Sequence, residues 1–189
     1  MKTMLVSRYH PLQVALHWLL AVLIVAMLGV GFFKLAAMPG TDPQKIAILL
    51  IHMSLGMLIL ALMAVRFILR IAMRRPADAT TGHPQLDRIA PVTHYGFYVL
   101  VLLMAGTGLA TAILAGLNRS VFQGSGEPLP SSFASYPTLV AHGYIALLLV
   151  GLAILHVLAA LYHQFVLKDG LLRRMWFGRR DLDRPAPAK

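Results

Sequence analysis

Four long stretches of this chain carry no charged side chain: residues 9–33, 46–65, 89–118 and 128–167. A helix of about 20 apolar residues crosses a hydrocarbon core about 30 Å thick, so each stretch has room for one span. The longest stretch opens with Pro-Leu-Pro-Ser-Ser-Phe-Ala-Ser-Tyr-Pro, from Pro128 to Pro137, which reads as an external loop and not as a second span. Four helices are therefore expected, near residues 12–35, 44–73, 91–117 and 137–168. Of the 189 residues, 58% are hydrophobic and only 13% charged, well below the roughly 25% of soluble domains. The expected fold class is an all-α integral membrane four-helix bundle over residues 1–177, followed by a basic, proline-containing tail over 178–189.

Positive charge sets the expected orientation, because cytoplasmic flanks collect lysine and arginine. Lys2 and Arg8 precede the first span, Arg70, Arg74, Arg75 and Arg88 surround the second connection, and Lys168, Arg173, Arg174, Arg179, Arg180, Arg184 and Lys189 follow the last span. The opposite side holds only Lys34, Lys45 and Arg119. Both termini are thus expected in the cytoplasm, and the first span is expected to be retained, since its apolar stretch exceeds that of a signal peptide. The net charge of +10 is then a topology signal, and no nucleic-acid partner is expected. With no cysteine in the chain, thiolate ligation, iron–sulfur clusters and disulfides are excluded, leaving imidazole as the strong ligand type.

Four of the eight histidines, His17, His52, His142 and His156, fall inside the expected spans. A polar ring in hydrocarbon marks a functional site by default. The expected topology puts His17 and His156 at one depth, toward the cytoplasm, and His52 and His142 at another, toward the outside. His142 and His156 are fourteen residues apart, which on a helix means nearly the same face and about 21 Å of rise. One helix thus offers two imidazoles at two depths, each with a matching histidine on another helix. Two haems stacked across the membrane suit this spacing. A single tetrahedral zinc site does not, because its ligands would be too far apart. A satisfied polar group is the plainer reading of any one such histidine. Gly29, Gly31, Gly56, Gly106, Gly108, Gly143 and Gly151 give room either for a flat macrocycle or for close helix packing. The ten methionines read as gap-fillers.

These segments carry a resemblance. Leu-His-Trp-Leu at His17, Ile-His-Met-Ser-Leu-Gly-Met-Leu-Ile-Leu at His52 followed by Val-Arg-Phe-Ile-Leu-Arg, His-Tyr-Gly-Phe-Tyr at His94, and the run from Leu155 through His156, His163 and Lys-Asp-Gly to Arg-Met resemble the bacterial cytochrome b-561 family. The resemblance extends from about His10 to Met175. It implies a multi-pass di-haem b protein of the bacterial cytoplasmic membrane, with His17 and His156 holding the inner haem and His52 and His142 the outer one. Both axial positions of each iron would then be filled, so electron transfer is expected and not oxygenation.

The resemblance further implies a quinone site at His163, seven residues beyond His156, where a capping role for the ring is the plainer alternative. Some family members pass electrons from superoxide to ubiquinone, which makes superoxide:ubiquinone oxidoreductase the expected activity. The rival expectation is a haem b anchor subunit linking a soluble dehydrogenase or hydrogenase partner to quinone. His94 is the rival of His17 for the inner haem and otherwise lines the quinone pocket. Arg66 is expected to pair with a haem propionate, and Arg70 with lipid headgroups. His10 and His83, each before a proline, are assigned no role. Lys34, Lys45 and Arg119 are the candidates for drawing a small anion to the outer face.

Overall fold

The computed structural model describes residues 6–181. Lys2, Arg184 and Lys189, with most of the expected basic tail, lie outside the described residues. The chain forms helices α1 (Pro11–Val30), α2 (Gln44–Ala72), α3 (Pro84–Leu114) and α4 (Pro137–Tyr162), and a short α5 (Leu171–Arg174). α1 and α4 run on through π-helical turns, Gly31–Leu35 and His163–Leu167. Each of the four long helices, taken with its π turn where present, is long and apolar enough to cross a membrane, with mean hydropathy between 2.1 and 2.6 over its best window.

Local chemistry explains the helix starts. α1, α3 and α4 each begin with a proline in the first turn, where a missing N–H costs nothing. His10 caps α1, its Nδ1 accepting from the Leu12 N–H at 3.2 Å, a role its proline-flanked setting did not announce. Asp42 Oδ1 accepts from the Gln44 N–H at 2.8 Å at the start of α2. α3 starts at Pro84, not near residue 91, and keeps Pro91 inside the helix. The Asp87 carboxylate secures this extra turn, accepting from the Thr80 hydroxyl at 2.7 Å and from the Thr81 N–H and hydroxyl at 2.7 and 2.8 Å. These bonds offset the one helical hydrogen bond that Pro91 cannot make.

Backbone packing runs α1 on α2, α2 on α3 and α3 on α4. The core is thin, because most apolar side chains point outward, as lipid-facing ones do: Val22 and Val25 are 66% exposed and Ile113 69%. A central layer is formed by Leu20, Ile59, Met63, Val101 and Leu149. Leu149 lies seven residues from both His142 and His156, so this apolar layer separates the two levels at which the histidines stand. At the end holding His142, the non-helical segment after residue 123 folds back, and Leu129 packs with Ala112, Leu117 and Val121. This is the segment read as a loop and not as a second span, and it closes that end of the bundle.

The other end is closed by the chain after α5. The Trp18 indole N–H donates to Met175 O at 2.9 Å, and Arg8 Nη1 to Trp176 O and Phe177 O at 3.3 and 3.2 Å. Arg174 Nη1 reaches Ala77 O at 2.7 Å, while Arg180 donates to Arg8 O at 3.0 Å and to Arg74 O at 3.1 Å. Three arginines that read as topology signals are thus also clamps that tie α5 and the segment after it to the residues before α1 and to the α2–α3 connection.

Candidate functional site

The histidines come together in the expected pairs. The rings of His17 on α1 and His156 on α4 have centres 6.1 Å apart, and those of His52 on α2 and His142 on α4 have centres 6.3 Å apart. Both pairs join α4 to helices other than its backbone neighbour α3, so the imidazoles face the interior across the bundle. With a metal–nitrogen bond of about 2.0 Å and a ring nitrogen about 1.2 Å from the ring centre, two imidazoles opposite one another on a metal have centres about 6.4 Å apart. Both pairs have that separation. Among the described residues no three His, Asp or Glu side chains form a group able to hold a metal ion, so a tetrahedral cage is not built here.

Hydrogen bonding of the ring nitrogens fits axial ligation. His142 Nδ1 lies 3.0 Å from Met104 O and 3.2 Å from the Thr107 hydroxyl. A carbonyl only accepts, so Nδ1 carries the proton and Nε2 keeps the lone pair a metal needs. His52 Nδ1 is buried with no hydrogen-bond partner.

The glycines divide into two groups. A Cβ at Gly29, Gly56, Gly106, Gly143 or Gly151 would meet nothing within 4 Å, so tight helix packing does not account for these five. A Cβ at Gly108 would stand 3.2 Å from His142 Cε1, and one at Gly31 would stand 3.8 Å from His52 Cε1. Gly108 is therefore a packing position for the ring itself. The residues present fit two haem groups, by the chemistry of the donors, their separation and the open glycine faces.

His94 also reaches the level of His17 and His156, its ring centre 5.6 Å from that of His156, with Phe97 against the His156 ring at 5.4 Å. His156 thus has two imidazole neighbours, His17 and His94. Arg66 lies close by, and its Nη1 donates to Gln13 O at 2.8 Å. Gln13, 4% exposed and overlooked in the sequence, donates from Nε2 to Leu69 O at 2.7 Å, while its Oε1 is buried without a partner. Arg70 does not simply reach out to headgroups: its Nε is buried and unpartnered, and its guanidinium lies 5.5 Å from the centre of the Tyr95 ring.

His163 is 8% exposed and its Nδ1 lies 2.6 Å from Asp169 Oδ2. The sequence showed the Lys-Asp-Gly motif but not this return. It depends on Lys168, whose φ of 54° is left-handed, and on Gly170 at φ 70°. Burial pushes the Asp169 carboxyl up, but hydrogen bonds from His163 and the Leu171 N–H, with the charges of His163 and Arg174, outweigh it and hold the group below its ordinary value.

At the opposite end, the three cations noted in the sequence are unequal. Lys45 is 6% exposed, its Nζ bonded to Met38 O at 2.5 Å and 5.1 Å from the Phe133 ring centre. Arg119 lies 3.8 Å from Glu127. Lys34, by contrast, lines an open cleft of about 450 Å³ with Val30, Asp42 and Ile51.

Four apolar spans with two imidazole pairs at two levels between them define a multi-pass membrane protein. A family model described as prokaryotic cytochrome b561 matches residues 8–178, and the chain belongs to that family. It is a membrane electron-transfer protein of the bacterial inner membrane, and family membership associates it with haem b. It is 27% identical over 178 residues to "Probable superoxide oxidase CybB" of Yersinia pestis, covering 89% of this chain and 96% of the relative. It is 26% identical over 172 residues to "Cytochrome b561 homolog 2" of Escherichia coli K12, covering 89% of this chain and 91% of the relative. "Cytochrome b562" of Cereibacter sphaeroides is 30% identical over 171 residues, covering 88% of this chain and 94% of the relative.

Proposed function

We propose that the chain carries electrons across the membrane through two haem b groups, the inner on His17 and His156 and the outer on His52 and His142, and exchanges them with ubiquinone at His163. The observation that carries this reading is the pair of ring separations, 6.1 and 6.3 Å, at two levels of one helix. Haem, when bound, would supply one-electron chemistry, and His17, His156, His52 and His142 are the residues that would hold it. The chain's own residues orient the rings, as Met104 O does for His142, and exclude water with the layer of Leu20, Ile59, Met63, Val101 and Leu149. Arg66, half-buried near His17 and His156, is the residue placed to compensate a haem propionate.

The orientation with both termini in the cytoplasm has the support of charge. Arg74, Arg174 and Arg180 meet at the end holding His17, whereas Lys34, Lys45 and Arg119 occupy the other. The favoured donor is superoxide, an activity named for the Yersinia pestis relative. Two superoxide ions would each give up one electron and leave as dioxygen, and ubiquinone would take two electrons and two protons to become ubiquinol. Lys34, the exposed cation that lines the open cleft, is the residue to draw the anion.

The alternative, a haem b anchor for a soluble dehydrogenase or hydrogenase, needs basic residues free to dock a partner. Its docking surface would be the basic segments around Arg74 and Arg173, where Arg174 is already engaged with Ala77 O. The test is ubiquinone reduction by purified protein supplied with a superoxide source. A rate that Lys34→Glu lowers several-fold supports the proposal; no superoxide-dependent reduction, together with co-purification of a soluble redox subunit, overturns it.

A further inference from the structure

The geometry points to Asp169 as a positioning residue for His163, holding the ring so that only Nε2 is offered to the quinone and acting as counter-charge when that nitrogen carries a proton. This rests on the quinone reading of His163. A carboxylate oxygen accepts only, so at 2.6 Å the proton lies on Nδ1, and Nε2 alone remains for a ligand. The chain goes to some length to make this bond. Lys168 is the one non-glycine residue with positive φ among the described residues, and with Gly170 it turns Asp169 back beneath its own helix. There the Asp169 N–H donates to His163 O at 3.3 Å, and the second carboxylate oxygen accepts from the Leu171 N–H at 2.9 Å. Both oxygens are thereby committed and the side chain has one orientation.

The charged groups that face the imidazole are Asp169, Asp87 from α3 and, across Asp169, Arg174 from α5. The oxygens of Asp87 are held by Thr80 and Thr81, so Asp169 is the carboxylate bonded to the ring. Reduction of the quinone then runs in two equal rounds. In each, a quinone oxygen takes one electron from the protein's electron-transfer chain and the proton from Nε2. The N–H bond breaks, an O–H bond forms, and the ring is left neutral with Nδ1–H still on Asp169. A proton from water restores Nε2–H, and the second round completes the quinol.

The test compares the wild type with Asp169→Asn, Asp169→Glu and His163→Gln in the full-length, haem-loaded protein. Each is reduced, mixed with short-chain ubiquinone over a range of pH, and followed by reoxidation of its visible absorption. For Asp169→Asn a maximal rate lowered about tenfold is expected, with the dependence on quinone concentration little changed. Its pH profile is expected to differ from that of the wild type, because the ring has lost the carboxylate bonded to it. Asp169→Glu is expected to recover part of the rate, and nitrogen NMR of labelled histidine is expected to show loss of the fixed Nδ1–H form in Asp169→Asn. If Asp169→Asn keeps the wild-type rate and profile while His163→Gln loses both, Asp169 is only a turn residue and the proposal fails, with the quinone reading intact. If His163→Gln reoxidises as the wild type does, the quinone reading fails and the proposal with it. Should Asp169→Asn not fold, a folded Asp169→Glu with an unshifted profile and undiminished rate overturns the proposal equally.

Discussion

Gly108 on α3 lies directly against the His142 ring on α4: a Cβ there would stand 3.2 Å from Cε1 and 3.4 Å from Nδ1. Alanine at 108 must push the ring away from Met104 O or shift the helix. Overpacking of this kind costs about 1–3 kcal/mol. Gly108→Ala is expected to lower thermal stability and to alter the electron paramagnetic resonance signal of the haem proposed at His52 and His142, leaving that of the one proposed at His17 and His156 unchanged. Gly143→Ala, where a Cβ meets nothing within 4 Å of protein, is the control: folding of the protein without haem is expected to be unaffected.

Arg66 holds two helices together as well as facing the inner level. Arg66→Leu removes one donor from Gln13 O, to which the helix supplies another, a loss of about 1 kcal/mol. Denaturation in detergent is expected to show that loss, and a redox titration is expected to show a changed potential for one haem only. If both potentials stay fixed, Arg66 is structural and compensates no propionate.

Trp18 ties the segment after α5 to α1 through its indole N–H. Trp18→Phe keeps the ring but removes the donor, at a cost of about 1 kcal/mol. Limited trypsin digestion is expected to cut at Arg173, Arg174 and Arg179 several-fold faster in the variant. Equal digestion rates would show that the arginine clamps suffice alone.

Asp169 links stability to acid. Its carboxyl is held below the ordinary value in the folded protein, so its contribution is complete above about pH 4, the unfolded value, and is lost as pH falls through the lower folded one. Melting temperature measured against pH is expected to drop in acid for the wild type, and less steeply below about pH 4 for Asp169→Asn.

Much of this was legible in the chain because membrane spans are written in composition. Gaps between charges located four helices, and a fourteen-residue spacing placed His142 and His156 on one stripe before any contact was known. The pairing of His52 with His142 followed from depth alone, and the rings do meet. What could not be read was set by local bonds and side-chain reach. Pro91 resembled a helix start, since nothing in the sequence shows Thr80 and Thr81 gathering on Asp87 to begin α3 at Pro84. Asp169 was visible within Lys-Asp-Gly, but its return to His163 needs a left-handed lysine that sequence does not signal. Gln13 was overlooked because a lone glutamine near a helix start carries no pattern. Depth also could not separate His17 from His94, and the structure sets both beside His156.

That last point makes haem content the measurement closest to the central claim. A pyridine haemochrome assay on the purified wild type is expected to give two haem b per chain, falling to about one in His52→Ala, His142→Ala and His17→Ala and remaining at two in His94→Ala. A colourless wild type would contradict the account outright, and a His17→Ala variant that keeps both haems while His94→Ala loses one would contradict the ligand pairs at its centre.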